Sequence, residues 1–148
     1  EYLPGREFTV GVLEEVDGIK ALEVTELTFN PESGVNFRTK DTVKNKWTIK
    51  TTPAAIDEEL ELEMKYLAIK SFKSMNCDTY ARIDLRLDAD GNPYIMEINT
   101  MPGLSNPGSP YVQEAIASGM TYDELINKLV QSAYAKGADK KKLGVGKF

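Results

Sequence analysis

From Tyr80 to Asp88 the chain alternates without a break, with Ala81, Ile83, Leu85 and Leu87 at one parity and Arg82, Asp84 and Arg86 at the other. Side chains along a strand point to opposite faces in turn, so this run reads as a strand with one face on a core and a charged face opposite. The turn residues Asp90-Gly91-Asn92-Pro93 follow, and Tyr94, Met96 and Ile98 then alternate with Ile95, Glu97 and Asn99. Joining the two apolar faces fixes an antiparallel register in which Leu87 opposes Tyr94, Leu85 opposes Met96 and Ile83 opposes Ile98. A slip of one residue would turn a whole set to the wrong side. Asp84 then faces Glu97, and Arg82 faces Asn99.

Opposed carboxylates repel across a sheet, and aspartate and asparagine are poor strand formers, so strand preference does not account for this choice. A shared cation does. Asp84, Glu97 and Asn99 offer two carboxylates and an amide oxygen, hard donors suited to magnesium that also holds phosphate oxygens, with calcium the other oxygen-ligated ion left open. Arg82 alongside can pair with phosphate through two nitrogens. Spacing alone is equally compatible with a solvent-facing hairpin carrying ordinary surface charge. The loop Thr100-Met101-Pro102-Gly103-Leu104-Ser105-Asn106-Pro107-Gly108 comes next, and its glycines can expose backbone N–H groups near the proposed metal.

Two other metal or phosphate motifs fail on spacing. Asp88-Ala89-Asp90-Gly91-Asn92 has proline at the sixth position of a calcium loop and Asn99 at the twelfth, with strands rather than helices around it. Gly144-Val145-Gly146-Lys147 lacks both the glycine spacing of a phosphate loop and the following serine or threonine. Zinc is disfavoured by the absence of histidine and the single Cys77, which also has no partner for an internal disulfide. The 18 basic and 23 acidic residues leave a net charge of −5, against nucleic acid or an anionic membrane as main partner. No apolar run approaches the roughly 18 residues of a membrane span and no leader is recognisable, so a cytoplasmic protein is expected.

With 148 residues, 41% of them hydrophobic, the chain can bury the core of one domain. It opens at Glu1, without methionine, inside a segment that reads as structured, which suggests an excised piece of something longer. Glu7 to Val16 and Ile19 to Phe29 form an antiparallel pair about Asp17-Gly18. Residues 30–53 read as a long loop with one short strand. Leu60, Met64, Leu67, Ala68, Phe72 and Met75 fall at helical spacing across 57–75. Thr121 and Glu124 form a capping box, Met120 and Leu125 a staple, and Leu125, Ile126, Leu129, Val130 and Ala133 a stripe that ends at Gly137. The tail from Asp139 to Phe148 reads as a solvated end. The fold class expected is α+β, a mainly antiparallel sheet with packed amphipathic helices.

The combination Ala81-Arg82-Ile83-Asp84 and Met96-Glu97-Ile98-Asn99-Thr100-Met101-Pro102-Gly103 resembles the signature of D-alanine–D-alanine ligases. Glu1-Tyr2-Leu3-Pro4-Gly5-Arg6-Glu7-Phe8-Thr9-Val10 resembles the opening of that family's C-terminal subdomain. The likeness runs in order from Glu1 to about Ala135, and the paired motifs are more specific than either alone. It implies that residues 1–148 are the C-terminal part of an ATP-grasp domain, without the first ATP-grasp subdomain or the N-terminal substrate domain.

By that resemblance Asp84, Glu97 and Asn99 would hold Mg2+ (Mn2+ as an alternative) on the ATP phosphates. Arg82 and the N–H of Gly103 would stabilise the tetrahedral transition state, and Gly103 and Ser105 would meet substrate. Glu1, Tyr2 and Leu3 would be the hinge that reads adenine, Glu7 the ribose acceptor and Met96 an apolar contact on the base. Phe37-Arg38-Thr39-Lys40 resembles an aromatic-x-x-lysine segment whose lysine, Lys40, reaches the γ-phosphate; Lys44 is the alternative. The implied chemistry is attack of a carboxylate on the γ-phosphate of ATP, then displacement of the acyl phosphate by an amine, a step of cell-wall peptidoglycan synthesis. The implied partners are small-molecule amino acids and the missing N-terminal half, and a homodimer is compatible. Asp41 stands where the family usually has tyrosine, and Ser105-Asn106-Pro107-Gly108-Ser109 departs from its usual run, so the second substrate need not be D-alanine. A ligase for another amino acid, hydroxy acid or peptide pair, or a noncatalytic nucleotide-binding module, is the alternative.

Overall fold

The computed structural model describes residues 2–37 and 39–142. A five-stranded antiparallel sheet is built from β1 (Glu7–Glu15), β2 (Gly18–Phe29), β3 (Thr48–Thr51), β4 (Tyr80–Leu87) and β5 (Pro93–Asn99), in the order β3-β2-β1-β4-β5. The expected hairpin of β1 and β2 closes with Glu15 opposite Gly18. Four helices accompany the sheet: α1 (Lys40–Lys44), α2 (Glu58–Ser74), α3 (Pro110–Ala117) and α4 (Tyr122–Lys142).

The two faces of the sheet carry different cores. Phe8, Val10, Val12, Ala81, Ile83, Leu85 and Leu87 pack with Met64, Ala68 and Phe72 of α2. Each valine, leucine, isoleucine, phenylalanine or methionine among them, removed from water, contributes about 1.5–3 kcal/mol before the entropy of ordering it is counted. On the opposite face, at one end, Leu13 and Leu22 pack with Tyr111, Val112 and Ala115 of α3 and with Leu125 and Leu129 of α4. The remainder of that face carries the charged residues of β4, which line a cleft.

Asp57 caps α2 by accepting from the Leu60 N–H at 2.9 Å. The expected box at the start of α4 forms in both directions: Thr121 Oγ1 accepts from the Glu124 N–H at 3.2 Å, and Glu124 Oε2 from the Thr121 N–H at 2.8 Å. Thr121→Ala is expected to lower unfolding free energy by about 1 kcal/mol, read by urea denaturation.

Several expectations are corrected. Residues 30–53 hold a 3-10 turn at Pro31–Ser33 and helix α1 besides their one strand. In α1, Thr42 N–H donates to Thr39 Oγ1 at 3.0 Å, and Thr39 N–H to Thr42 Oγ1 at 2.8 Å, a local cap on a helix too short to show a period. Met75 ends α2 exposed, one position beyond the face that packs. In α4 the buried positions are Leu125, Leu129 and Ser132, while Val130 and Ala133 face solvent. Gly137 does not stop α4, which continues to Lys142. Of the tail, residues 143–148, including the Gly144 to Lys147 run, lie outside the described residues, as does Glu1.

The register of β4 and β5 holds at the end that matters and shifts beyond it. Arg82 opposes Asn99, Ile83 opposes Ile98 and Asp84 opposes Glu97, as expected, but Leu85 then meets Ile95, Arg86 meets Tyr94 and Leu87 meets Pro93. A β-bulge at Met96 inserts one extra residue on β5, so neither Leu85–Met96 nor Leu87–Tyr94 forms. Tyr94 and Met96 are half-exposed rather than part of the core.

Candidate functional site

The face of β4 opposite α2 presents Arg82, Asp84 and Arg86 in a row, and β1 lays Gly11, Thr9 and Glu7 beside them in register. On the other flank β5 sets Asn99 against Arg82 and Glu97 against Asp84. A cleft of about 830 Å³ lies over these strands, with Tyr2, Leu3, Phe37 and Thr39 lining it from the loops and Lys44 from the end of α1. Arg82, Asp84, Glu97 and Asn99 line it at one end, and Tyr2, Leu3, Glu7 and Met96 line it too. The strand pairing read from sequence therefore places its charged residues in one concavity.

Arg82 and Asp84, two apart on β4 and so on one face, form a buried bidentate pair: Nε to Oδ1 at 2.6 Å and Nη2 to Oδ2 at 2.7 Å. Burial alone would weaken the guanidinium's hold on its proton; the hydrogen bonds it donates to Asp84, aided by the nearby charges of Asp84, Glu114 and Glu97, reverse that and raise it. Asn99 is oriented by its own loop, its Oδ1 accepting from the Met101 N–H at 3.1 Å. Among the described residues no three His, Cys, Asp or Glu side chains gather as a metal site. The available set is two carboxylates and an amide oxygen. Such donors fit a hard divalent ion whose remaining positions are filled from elsewhere.

The other end is organised by Arg86, which the sequence reading left out of the site. Its guanidinium is almost fully buried, donates to Glu7 Oε2 at 3.2 Å and to the Asn36 carbonyl at 3.1 Å, and lies 5.6 Å from the centre of the Tyr2 ring. It thus joins the chain start, β1 and the 30s loop at one point. The signal was present: Arg86 is the third charged residue on the cleft face of β4. The bulge accounts for Met96, which strict alternation puts on the core face with Ile98 yet which lines the cleft together with Glu97.

Not every expected residue meets the cleft. Gly103 and Ser105 are exposed in the loop after β5 and are not part of its wall. That loop is held at its middle and near its far end: Tyr122 donates to the Leu104 carbonyl at 2.9 Å, and Lys50 Nζ to the Gly108 carbonyl at 2.5 Å. Lys44 lines the cleft, whereas the Lys40 side chain, Arg38 and Glu1 lie outside the described residues.

A second residue escaped the sequence reading. Glu114, on α3, is fully buried against the same sheet face, and its carboxylate accepts a short hydrogen bond from Thr9 Oγ1. Burial pushes its pKa up to about 7, opposed by the Thr9 hydrogen bond and the positive charge of Arg82. Helix α3 itself was missed, though Ser109-Pro110 at its start is a helix-opening signal.

Known proteins resemble this chain throughout. The family model described as D-ala D-ala ligase C-terminus matches residues 1–131. A D-alanine–D-alanine ligase of Corynebacterium glutamicum is 40% identical over 133 residues, covering 87% of this chain and 36% of the relative. The solved D-alanine–D-alanine ligase of Coxiella burnetii superposes with a TM-score of 0.78 at 25% identity, over 97% of this chain and 36% of that one. VanG, a D-Ala:D-Ser ligase of Enterococcus faecalis, superposes with a TM-score of 0.70 at 27% identity, over 88% of this chain and 36% of its own. The chain therefore spans well under half the length of the proteins it matches.

Proposed function

Since the chain belongs to the D-alanine–D-alanine ligase family and matches its C-terminal part, we propose that it supplies the magnesium-ATP half of the active site of an ATP-dependent carboxylate–amine ligase. The observation that carries this reading is the cleft in which Arg82, Asp84, Glu97 and Asn99 meet on paired strands. The first ATP-grasp subdomain and the N-terminal substrate domain, on this reading, come from the rest of a longer enzyme.

Asp84, Glu97 and Asn99 would hold the metal, which when bound would neutralise charge on the phosphates and on the phosphoryl group being transferred. Arg82, fixed on β4, presents donors to the oxygens on which charge develops as the substrate carboxylate takes the γ-phosphoryl group. The same donors serve when an amine attacks the acyl phosphate and phosphate leaves. Glu7, Met96, Tyr2 and Leu3 form the nucleoside end, with Arg86 holding the Glu7 carboxylate in place. The Gly103 N–H and Ser105 lie in the loop that completes the amine side, and Lys40 or Lys44 reaches the terminal phosphate.

The product is a dipeptide-type bond. D-alanine is the first candidate for both substrates, but Asp41 and the 105–109 loop leave the second open, and the D-Ala:D-Ser ligase among the structural neighbours supports a different amine there. ADP release by the full-length enzyme with paired D-amino and D-hydroxy acids tests the proposal. Amine-dependent turnover is expected for at least one pair, and none from residues 1–148 alone. Sustained turnover by the isolated chain would refute the half-site, and MgATP binding without turnover on any pair would favour the noncatalytic reading.

A further inference from the structure

Among the described residues, Glu114 is the one buried carboxylate near the cleft that the proposed chemistry does not use. It comes from α3 and lies over β1, the central strand of the sheet, with no part of the residue exposed. Its Oε1 accepts a hydrogen bond from the hydroxyl of Thr9, the residue opposite Asp84 in the ladder. Its Oε2 has no hydrogen-bond partner of normal geometry among the described residues, Thr25 being the other hydroxyl close enough to favour its charged form. That oxygen sits above Gly11: a Cβ added there would come within 2.7 Å of it. Gly11 is the residue directly opposite Arg82, and directly opposed residues on neighbouring strands have their Cα atoms only about 4.5–5.5 Å apart. A glycine thus leaves room for the Glu114 carboxylate over β1, on the strand beside Arg82.

A buried, unsatisfied carboxylate oxygen is costly and is rarely retained without a use. Arg82 has a corresponding need. In the structure its charge is matched by both oxygens of Asp84. On the reading above, Asp84 turns part of its charge to a metal when nucleotide is bound, and a buried guanidinium then requires another anion. Thr9, Thr25 and Asp84 are the other polar groups that act on Glu114, and Arg82 is the cation among them. We propose that Glu114 is a positioning residue for Arg82, a second buried counter-ion that keeps the guanidinium in the cleft while Asp84 is engaged by the metal. The inference rests on the assignment of Asp84 and Arg82 made above. Glu114 would touch neither substrate nor nucleotide, so its effect should fall on turnover and not on binding.

The test uses the full-length enzyme with Glu114→Gln, which keeps the shape and the Thr9 contact, Glu114→Asp, which keeps the charge, and Arg82→Lys. At about pH 8, where the Glu114 carboxyl is ionised, Glu114→Gln is expected to lower kcat about 10- to 50-fold, with KM for MgATP within about twofold. Glu114→Asp should recover part of that loss. In the Arg82→Lys background Glu114→Gln should cost less than about threefold more, because its effect passes through the arginine. Independently of activity, hydrogen exchange at the Arg82 Nε–H in the Mg-ADP complex should be at least about tenfold faster in Glu114→Gln. Unchanged kcat and exchange, or full additivity with Arg82→Lys, would overturn the role of Glu114. If Arg82→Lys itself left turnover intact, the fault would lie in the assignment of Arg82 instead.

Discussion

Asp84→Asn in the full-length ligase is expected to reduce kcat by about 100- to 1000-fold while the protein stays folded. The substitution keeps size and one acceptor oxygen but removes a charge that does two jobs. It is the carboxylate facing Glu97, and it is the bidentate partner of buried Arg82. A metal held by Glu97 and two amides would bind more weakly, because hard divalent ions favour anionic oxygen. Manganese titration followed by electron paramagnetic resonance, in the presence of ADP, should show at least about tenfold weaker binding, with circular dichroism unchanged. Wild-type activity together with wild-type manganese affinity would remove Asp84 from the metal site.

The second large effect concerns stability. The Glu114 carboxyl has its folded pKa raised from 4.5 to about 7 by burial. A raised folded pKa means that the folded state favours the protonated form. The stabilising contribution of that form is complete below pH 4.5 and is lost as pH rises through about 7. At about 1.4 kcal/mol per pH unit of displacement, the loss amounts to about 3 kcal/mol by pH ~8.5. Guanidinium denaturation of the chain between pH ~5 and ~8.5 should show this decline, and Glu114→Gln should flatten it and be the more stable protein at the alkaline end. The carboxylates of Glu15, Asp88 and Glu124 are shifted the other way, so their contributions change at lower pH and leave this window clear. A flat wild-type profile would mean that the carboxyl is better solvated than its burial implies. Greater stability joined to slower turnover is the pairing expected of a residue kept for function at the expense of the fold.

The alternation of β4 was enough to place Asp84 against Glu97, because a misplaced register would have exposed Ile83 and Ile98. What lay beyond Glu97 was not legible. Tyr94, Ile95 and Met96 are all apolar, so nothing in their order marks which one bulges, and only the edge position of β5 allows it. The capping box at Thr121 was readable since both bonds are local. The buried side of α4 was not, because Ser132 takes a place that an apolar pattern assigns to Val130 or Ala133. Glu114 was illegible for a similar reason: a glutamate in a helix is read as solvated, and only the tertiary contact with Thr9 and Gly11 buries it. Arg86 shows the converse. Its parity on β4 pointed to the cleft, but a third charge beside a complete ligand set attracted no separate role.

The split between the two sheet faces has a consequence for how such a domain can change over generations. Odd positions of β4, packed on α2, carry the cohesion of the fold, while the even positions Arg82, Asp84 and Arg86 line the cleft. Because neighbouring residues answer to different demands, a lineage can revise what the cleft accepts, residue by residue, without disturbing the packing that keeps the strands together. Glu114 and Gly11 are the exception, since they knit the second core to the working surface and would have to drift as a pair.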